Sequence, residues 1–353
     1  MAYSPIDKPN THFNPVIYSG NDVDGRAITT GFQTDWTWVK RRNATNSHII
    51  SDIVRGATYK LDSSETTAQV NNYDGGHLES FTSTGFTLGA GGINSGHTNA
   101  TGGTYVSWNW KAGGTASSNT DGSITSTVSA NPTAGFSIVK YSGNSTTGAT
   151  VGHGLSTAPK MIIIKSLGVE NWEVYHESLG NTKGIYLNTT GASFTTSARW
   201  NNTSPTSSVW TMGSTTAVNG SGIDYVAYCF SDVKGYQKSG SYIGNGQDTP
   251  NGVFTYLGFT PAFILIKATD INSWVMVDNK RPADSNPVDD SLAADSSAAE
   301  TTGNADTTFD FLSNGFRTNG NSGNNNSSGQ EYIYYAVAQN PLVASNYVPT
   351  TAR

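Results

Sequence analysis

Apolar residues in this chain occur in short runs that are separated by clusters of glycine, asparagine, proline and serine. Trp172 to His176 alternates apolar and polar positions, which is typical of a strand with one face in a core and one in water. Met161 to Ile164 is apolar throughout, as expected for a strand buried on both faces. Short strands at this spacing predict an all-β fold of the β-sandwich or jelly-roll kind. The best helical pattern, residues 291–300, predicts one short helix near a sheet edge.

One series of motifs occurs three times along the chain. Each copy has a strand ending in Tyr-x-Gly-Asn, a Gly-hydrophobic turn, an apolar strand closed by lysine and a tyrosine-rich strand. These motifs begin or end at Tyr18, Gly31, Lys40 and Tyr105, at Tyr141, Gly154, Lys165 and Tyr225, and at Tyr242, Gly258, Lys267 and Tyr332. The period exceeds the roughly 20–50 residues of solenoid repeats, and units of about 90–100 residues can hold a core. We therefore expect three tandem related β-sandwich units, jelly-roll or lectin-like, arranged as beads on a string.

The repeats predict the domain boundaries. Unit 1 covers residues 1–111, a linker rich in Gly, Ser, Thr and Asn covers 112–134, unit 2 covers 135–236, and unit 3 covers 237–353 with a C-terminal tail. Alternation from Ile124 to Val128 predicts a short strand inside the linker. The short joint between units 2 and 3 predicts a fixed angle there, and the longer linker predicts freer motion of unit 1.

Composition and charge exclude several classes of protein. The chain has 353 residues, only 13% of them charged, and a formal net charge of −6. Its longest cationic run is Lys40-Arg41-Arg42, so nucleic-acid binding is not expected. Met1 to Pro9 lacks the apolar core of a signal peptide, and no run approaches the roughly 18 apolar residues of a membrane span, so membrane insertion is not expected either. The many Asn-x-Ser/Thr sequons are interpreted as a by-product of composition rather than glycan sites.

Residues that could carry chemistry are scattered. The six histidines have no metal-ligand spacing, and neither a P-loop nor a Gly-x-Ser-x-Gly motif occurs. The single cysteine, Cys229, lies in an apolar run and is interpreted as a buried small hydrophobe. An acidic cluster, Asp278 to Asp295, is either a solvated loop or a weak Ca²⁺ site. We therefore expect no catalytic residues, metal ligands or cofactor, and no enzyme.

Aromatic residues are the remaining ligand candidates, because indole and phenol rings stack on sugar rings while nearby amides bond to hydroxyls. Trp172 recurs as Trp274 in unit 3, which favours a core role. Trp200 has no counterpart in the other units and precedes Asn201 and Asn202. These three residues, Trp200, Asn201 and Asn202, are the predicted ligand-binding site.

Long stretches of the chain resemble a known family. They are Val54 to Ala57, Trp172 to Gly180, Tyr186 to Asn188, Trp200 to Val209, Tyr225 to Ser231, Gly258 to Phe263 and Asp310 to Phe316. In these runs the sequence is similar to virion structural, tail-fibre-like proteins of marine tailed bacteriophages. The resemblance implies a virion component with lectin-like β-sandwich domains, assembled in the host cytoplasm and exposed on the particle surface. It brings no catalytic residues.

The resemblance also implies partners. They are other virion proteins and further copies of the chain in a homo-oligomer, with a trimer favoured. The low charge, the loops rich in Asn, Ser and Thr and the unrepeated Trp200 add a host surface glycan as an expected partner. The expected function is therefore a tail fibre or appendage that adheres to the host. One alternative is a capsid-surface decoration or head-fibre protein. A second is a free carbohydrate-binding lectin or a glycan-active enzyme.

Overall fold

A computed structural model of the protein describes residues 4–71, 77–90, 95–283, 286–305 and 307–343. The described chain is all-β with several antiparallel sheets, so the predicted all-β, β-sandwich class is confirmed. Among the described residues, the helices are a short 3-10 helix at Pro9–Thr11 and α1 at Ser95–Thr98. The tail beyond Val343 lies outside the described residues.

The strands of unit 1 are β1 (Phe13–Ser19), β2 (Arg26–Thr29), β3 (Trp36–Arg41), β4 (Ile49–Asp52), β5 (Gly56–Leu61), β6 (Val70–Asn71), β7 (Leu78–Thr82), β8 (Gly85–Leu88) and β9 (Thr104–Trp110). The linker contributes β10 (Ser117–Asn119) and β11 (Ser126–Asn131). Unit 2 has β12 (Phe136–Ser142), β13 (Thr150–Gly152), β14 (Met161–Ser166), β15 (Trp172–His176), β16 (Lys183–Tyr186), β17 (Phe194–Thr195), β18 (Val209–Thr211) and β19 (Asp224–Phe230). Unit 3 has β20 (Gln237–Ile243), β21 (Phe254–Tyr256), β22 (Phe259–Ala268), β23 (Trp274–Asp278), β24 (Leu292–Ala293), β25 (Thr308–Leu312), β26 (Gly315–Asn319) and β27 (Glu331–Pro341).

The same strand order recurs in the large sheet of each unit. The orders are β1-β9-β3-β4-β5, β12-β19-β14-β15-β16 and β20-β27-β22-β23-β24. A smaller sheet forms the second layer, with orders β2-β8-β7, β13-β18 and β21-β26-β25. Lys165 pairs with Val226, the residue after Tyr225, and Lys267 pairs with Ile333, the residue after Tyr332. The predicted equivalence of these two lysines and of these two tyrosines is therefore confirmed.

Stacked tyrosines explain the Tyr-x-Gly-Asn motif. Its tyrosine pairs across the sheet with the tyrosine of the last strand, and the ring centroids are 5.2, 5.1 and 5.0 Å apart in units 1, 2 and 3. Two residues later the backbone passes close to another loop. A Cβ on Gly20, Gly143 or Gly244 would lie 2.1, 2.4 or 2.3 Å from a carbonyl oxygen, so only glycine fits at these positions.

A buried asparagine completes this motif in each unit. Asn99, Asn219 and Asn326 lie six residues before the final tyrosine. Each side-chain oxygen accepts the backbone N–H of the motif's asparagine, at 3.2, 2.9 and 3.0 Å, and each side-chain NH₂ donates to two loop carbonyls. All three stand in Asn-x-Ser/Thr sequons, but their side chains are fully buried and cannot accept a glycan in this fold.

The three units pack together through a common hydrophobic core, in addition to separate clusters inside units 1 and 2, so the beads-on-a-string arrangement is wrong. The large sheets face one another, and buried residues from all three units form a continuous cluster. Trp36 stacks on Tyr228 at 4.5 Å between ring centroids, Phe230 contacts Tyr335 at 4.7 Å, and Phe13 contacts Phe263 at 5.7 Å. The physical reason is that the central strands are apolar on both faces, and one face of each sheet needs a partner outside its own sandwich.

Hydrogen bonds between equivalent positions close the three units into a ring. Trp172 Nε1 of unit 2 donates to the carbonyl of Asp62 in unit 1 at 2.8 Å. Trp274 Nε1 of unit 3 donates to Tyr186 O of unit 2, also at 2.8 Å. In unit 1 the matching position is His48, whose Nε2 lies 3.0 Å from Ala293 O of unit 3. Each unit therefore contacts the next in the same way, around a pseudo-threefold axis.

The linker belongs to the sheet of unit 2. Strands β10 and β11 extend it in the order β10-β11-β12, and Ile124 forms a parallel bridge with Val151 of β13. The predicted strand exists, displaced to Ser126–Asn131. Freer motion across this segment is not supported, because β11 pairs along its whole length with β12 of unit 2 and β10 pairs with β11. We call residues 117–131 the ribbon.

The short helix predicted at 291–300 is wrong. Leu292 and Ala293 form β24 and pair with Met276 and Val275. Leu292 thereby enters the shared core, and a helix would withdraw it. Tertiary burial overrides the helix propensity of the neighbouring alanines.

Candidate functional site

The predicted ligand residue Trp200 lies in the core of unit 2. Its side chain is 1% exposed, its Nε1 donates to Lys183 O at 3.0 Å, and its ring meets the edge of Tyr175 at 5.5 Å. The indole faces are therefore not available to stack on a sugar, and this expectation is corrected. Asn201 and Asn202 hold positive φ values of 49° and 50° in a turn, and ligand contact by their amides stays a prediction.

The acidic cluster is divided among protein donors. Asp278 accepts from Arg281 and from Trp108 Nε1, Asp290 lies 3.6 Å from Arg42, and Asp295 accepts the backbone N–H of Trp274. Asp284 lies outside the described residues. Across the part of the chain that the structure describes, no group of three or more His, Cys, Asp or Glu side chains is placed to hold a metal ion.

Buried titratable groups are used by the fold. Trp38 Nε1 donates to His48 Nδ1 at 2.7 Å, so His48 is neutral with its proton on Nε2, and burial lowers its pKa to about 3. Burial also raises the pKa of the Cys229 thiol, which is inert as a nucleophile in this state. The repeated lysines, Lys40, Lys165 and Lys267, each donate to the carbonyl of the following residue at 2.7 Å, and burial lowers the pKa of each to about 8.

Comparison of the repeats separates fold from function. A feature that recurs at equivalent positions serves the common fold, whereas an exposed feature of one unit has no such explanation. The outward side of the small sheet in unit 3 is such a feature. We define the outer face of unit 3 by Phe254, Tyr256, Arg317, Asp310 and Lys238.

Two exposed aromatic rings dominate this outer face. Phe254 and Tyr256 alternate with the inward Thr255 on β21 and are 48% and 51% exposed. Next to Phe254 on β26 is Arg317, whose Nε lies 3.0 Å from Asp310 Oδ2 on β25. Lys238 Nζ donates to Tyr256 O at 2.8 Å and lies 5.6 Å from the centre of the Tyr256 ring.

Equivalent positions in the other units carry small side chains. Thr255 of unit 3 pairs with the core residue Phe316, and Ile28 of unit 1 pairs in the same way with Phe86. This equivalence aligns Phe254 and Tyr256 with Ala27 and Thr29 of unit 1. In unit 2 Val151 pairs with the core residue Trp210, so the aligned residues are Thr150 and Gly152. At the positions equivalent to Arg317 and Asp310, unit 1 has Thr87 and Ser80, whose hydroxyl groups are hydrogen-bonded with 2.7 Å between the oxygens.

The outer face has the chemistry of a sugar-binding surface. Aromatic rings can cover the C–H face of a sugar, and the guanidinium and carboxylate beside them can bond to its hydroxyls. Sequence reasoning missed this surface. The signal was present, because aligning the three repeats on Gly31, Gly154 and Gly258 places aromatic residues at these two outward positions in unit 3 alone.

The family model described as Domain of unknown function (DUF7483) matches residues 8–341, which include all three sandwich units. The chain belongs to the DUF7483 family. Comparison with curated proteins and with solved structures gave no match. Within the described residues, this DUF7483 protein has no helix long and apolar enough to cross a membrane.

Proposed function

We propose that this DUF7483 protein is a structural protein of a phage particle that attaches to a host surface glycan through the outer face of unit 3. The observation that supports this function is the exposed pair Phe254 and Tyr256, at positions where the other two units carry small residues. The resemblance of its sequence motifs to tail-fibre-like virion proteins supports the particle and the surface location. The rigid ring of sandwiches would hold the face in a fixed direction.

Attachment of this kind is weak at one site and strong at many. A stacked aromatic ring contributes on the order of 1 kcal/mol beyond the area that it buries, which leaves a single site near millimolar affinity. Several copies on one particle raise avidity by roughly 10²–10⁴ without a new contact. Homo-oligomerisation of the chain, with a trimer favoured, stays a prediction that is based on the resemblance to virion proteins and on the closed symmetry usual for identical subunits.

Adsorption to host cells tests the proposal. Particles carrying Phe254→Ala and Tyr256→Ala should assemble normally and adsorb at least tenfold more slowly. Val169→Ala and Ile271→Ala are the matched controls, because they remove apolar side chains that are at least as exposed (75% and 68%) elsewhere on the surface. Equal adsorption by the double variant and the controls would refute attachment through this face. Labelled antibodies that found the protein on the capsid would favour the decoration alternative.

A further inference from the structure

A second feature of unit 3 is a cleft of about 200 Å³ over the paired residues Val275 and Ala293. Ser291, Thr301 and Asn324 also line it, and Ala298 and Ala299 add methyl groups. We call it the unit 3 cleft. The space equals that of roughly seven water molecules at about 30 Å³ each, which suits a single small ring.

Unit 2 shows why this space is open. Val275 and Ala293 correspond to Glu173 and Tyr186, which form the same cross-strand pair. In unit 2 the side chain of Arg199 lies over that pair, with Nε 2.7 Å from Glu173 Oε1 and Nη2 3.4 Å from the Tyr186 hydroxyl oxygen. Unit 3 has a valine and an alanine in place of the carboxylate and the phenol. The place that unit 2 fills with its own ion pair is therefore vacant in unit 3.

The walls of the cleft select a neutral, polar ligand. Hydroxyls and amides offer both donors and acceptors, while Val275, Ala293 and the two other alanines offer an apolar surface. Among the described residues that line the cleft none is charged. An ionised ligand would lose hydration there without gaining a counter-charge, which is costly. A molecule with several hydroxyls and one C–H face meets both conditions.

We infer that the unit 3 cleft binds one ring of a neutral saccharide. This inference stands on the cleft and on its comparison with unit 2, and it does not depend on the outer face of unit 3. The cleft would recognise the ring by hydrogen bonds around its rim and by contact of its C–H face with the alanine methyls.

Binding of monosaccharides tests the inference. The probes are methyl glycosides of glucose, galactose, mannose and N-acetylglucosamine, with glucuronate and glucosamine as charged counterparts, followed by saturation-transfer NMR. Wild-type protein should bind at least one neutral probe and bind its charged counterpart at least tenfold more weakly. Ala293→Tyr, which introduces the residue of unit 2, should reduce binding at least tenfold.

Controls keep this test decisive. Val23→Tyr adds the same phenol at an exposed position of unit 1 and should bind like wild type. If Ala293→Tyr fails to fold, Thr301→Val, which removes one rim hydroxyl, should weaken binding severalfold. Absence of binding by wild type to every neutral probe would overturn the inference, as would unchanged binding by the folded cleft variants. The Phe254→Ala/Tyr256→Ala protein should keep monosaccharide binding, so failure of the cleft and failure of the outer face are distinguishable.

Discussion

Arg55 and Asp52 form a fully buried ion pair at the contact between units 1 and 2. Their side chains meet at 2.5 Å, Arg55 also donates to Ile50 O, and Tyr228 OH of unit 2 donates to Asp52 at 2.8 Å. Unit 3 repeats the arrangement with Arg281, Asp278 and Trp108 of unit 1. Unit 2 instead has Leu179 and His176, and His176 Nε2 donates to Tyr334 O of unit 3 at 3.0 Å. One contact of the ring is therefore neutral and two are charged.

This difference yields a prediction for Arg55→Leu. The single substitution leaves the Asp52 carboxylate buried without its counter-charge, which costs about 3–5 kcal/mol of unfolding free energy. The double variant Asp52→His/Arg55→Leu reproduces the neutral residues of unit 2 and should lose much less. Urea unfolding followed by tryptophan fluorescence measures both. A double variant that is no more stable than the single one would show that the charge left behind is not the cause.

The first large-sheet strand of each unit (β1, β12 and β20) would leave an open sheet edge, and the three are protected in different ways. In unit 1, His12 O accepts from Lys111 N and Gly20 N donates to Gly103 O, at the two ends of the β1–β9 pair. The backbone N–H and C=O groups of even-numbered residues in β1 therefore point toward β9, and the backbone nitrogen of Pro15 points away from it. Proline there removes an edge donor. In unit 2 the ribbon covers β12. In unit 3 no described strand covers β20, but Lys238 crosses from it to the small sheet.

We therefore expect Lys238→Val to promote self-association, because it removes the charge from the exposed edge and adds β propensity. Sedimentation velocity over a range of concentrations should show larger species for this variant. Lys140→Val is the matched control, since it lies on the equivalent strand of unit 2, whose edge the ribbon already covers. Equal behaviour of the two variants would mean that Lys238 does not protect the edge.

The repeated motifs predict strand order and pairing well, because they place tyrosine, glycine and lysine at fixed points of each unit. They do not predict which surfaces pack together. Met161 to Ile164 has the same apolar pattern whether its second face meets a small sheet or another unit, so the shared core could not be predicted. Trp200 was misassigned for a related reason, since an unrepeated tryptophan can also fill an unrepeated space. Phe254 and Tyr256 could have been found by aligning the repeats.

At the scale of the whole molecule, the ring of contacts joins three sandwiches into one cooperative body. Unit 1 reaches unit 3 directly through Arg42, whose Nε lies 2.7 Å from Glu300 Oε2, as well as through His48. Because each large sheet covers part of its neighbours' apolar surface, removal of any one unit exposes the core of the other two. Three independent unfolding steps are not expected from this architecture.

We expect a single unfolding transition, with equal calorimetric and van't Hoff enthalpies. Cys229 reports on it directly, because its buried thiol should react with a thiol reagent only as the protein unfolds, with the same midpoint as tryptophan fluorescence. Residues 112–236, which include the ribbon, should be unfolded or aggregated when they are expressed alone. Two separate transitions, or a folded isolated unit 2, would contradict the cooperative body.

The closed ring also sets a demand on synthesis. Units 1 and 2 leave the ribosome before unit 3 exists, and the surface of Phe13, Trp108 and Trp110 that meets Phe263 has no cover until then. Roughly 100 further residues at about 5–20 residues per second keep it bare for on the order of 5–20 s. Through that interval the nascent chain presents an aromatic surface to every other chain in the cell, so a chaperone that shields this surface should raise the yield of folded protein.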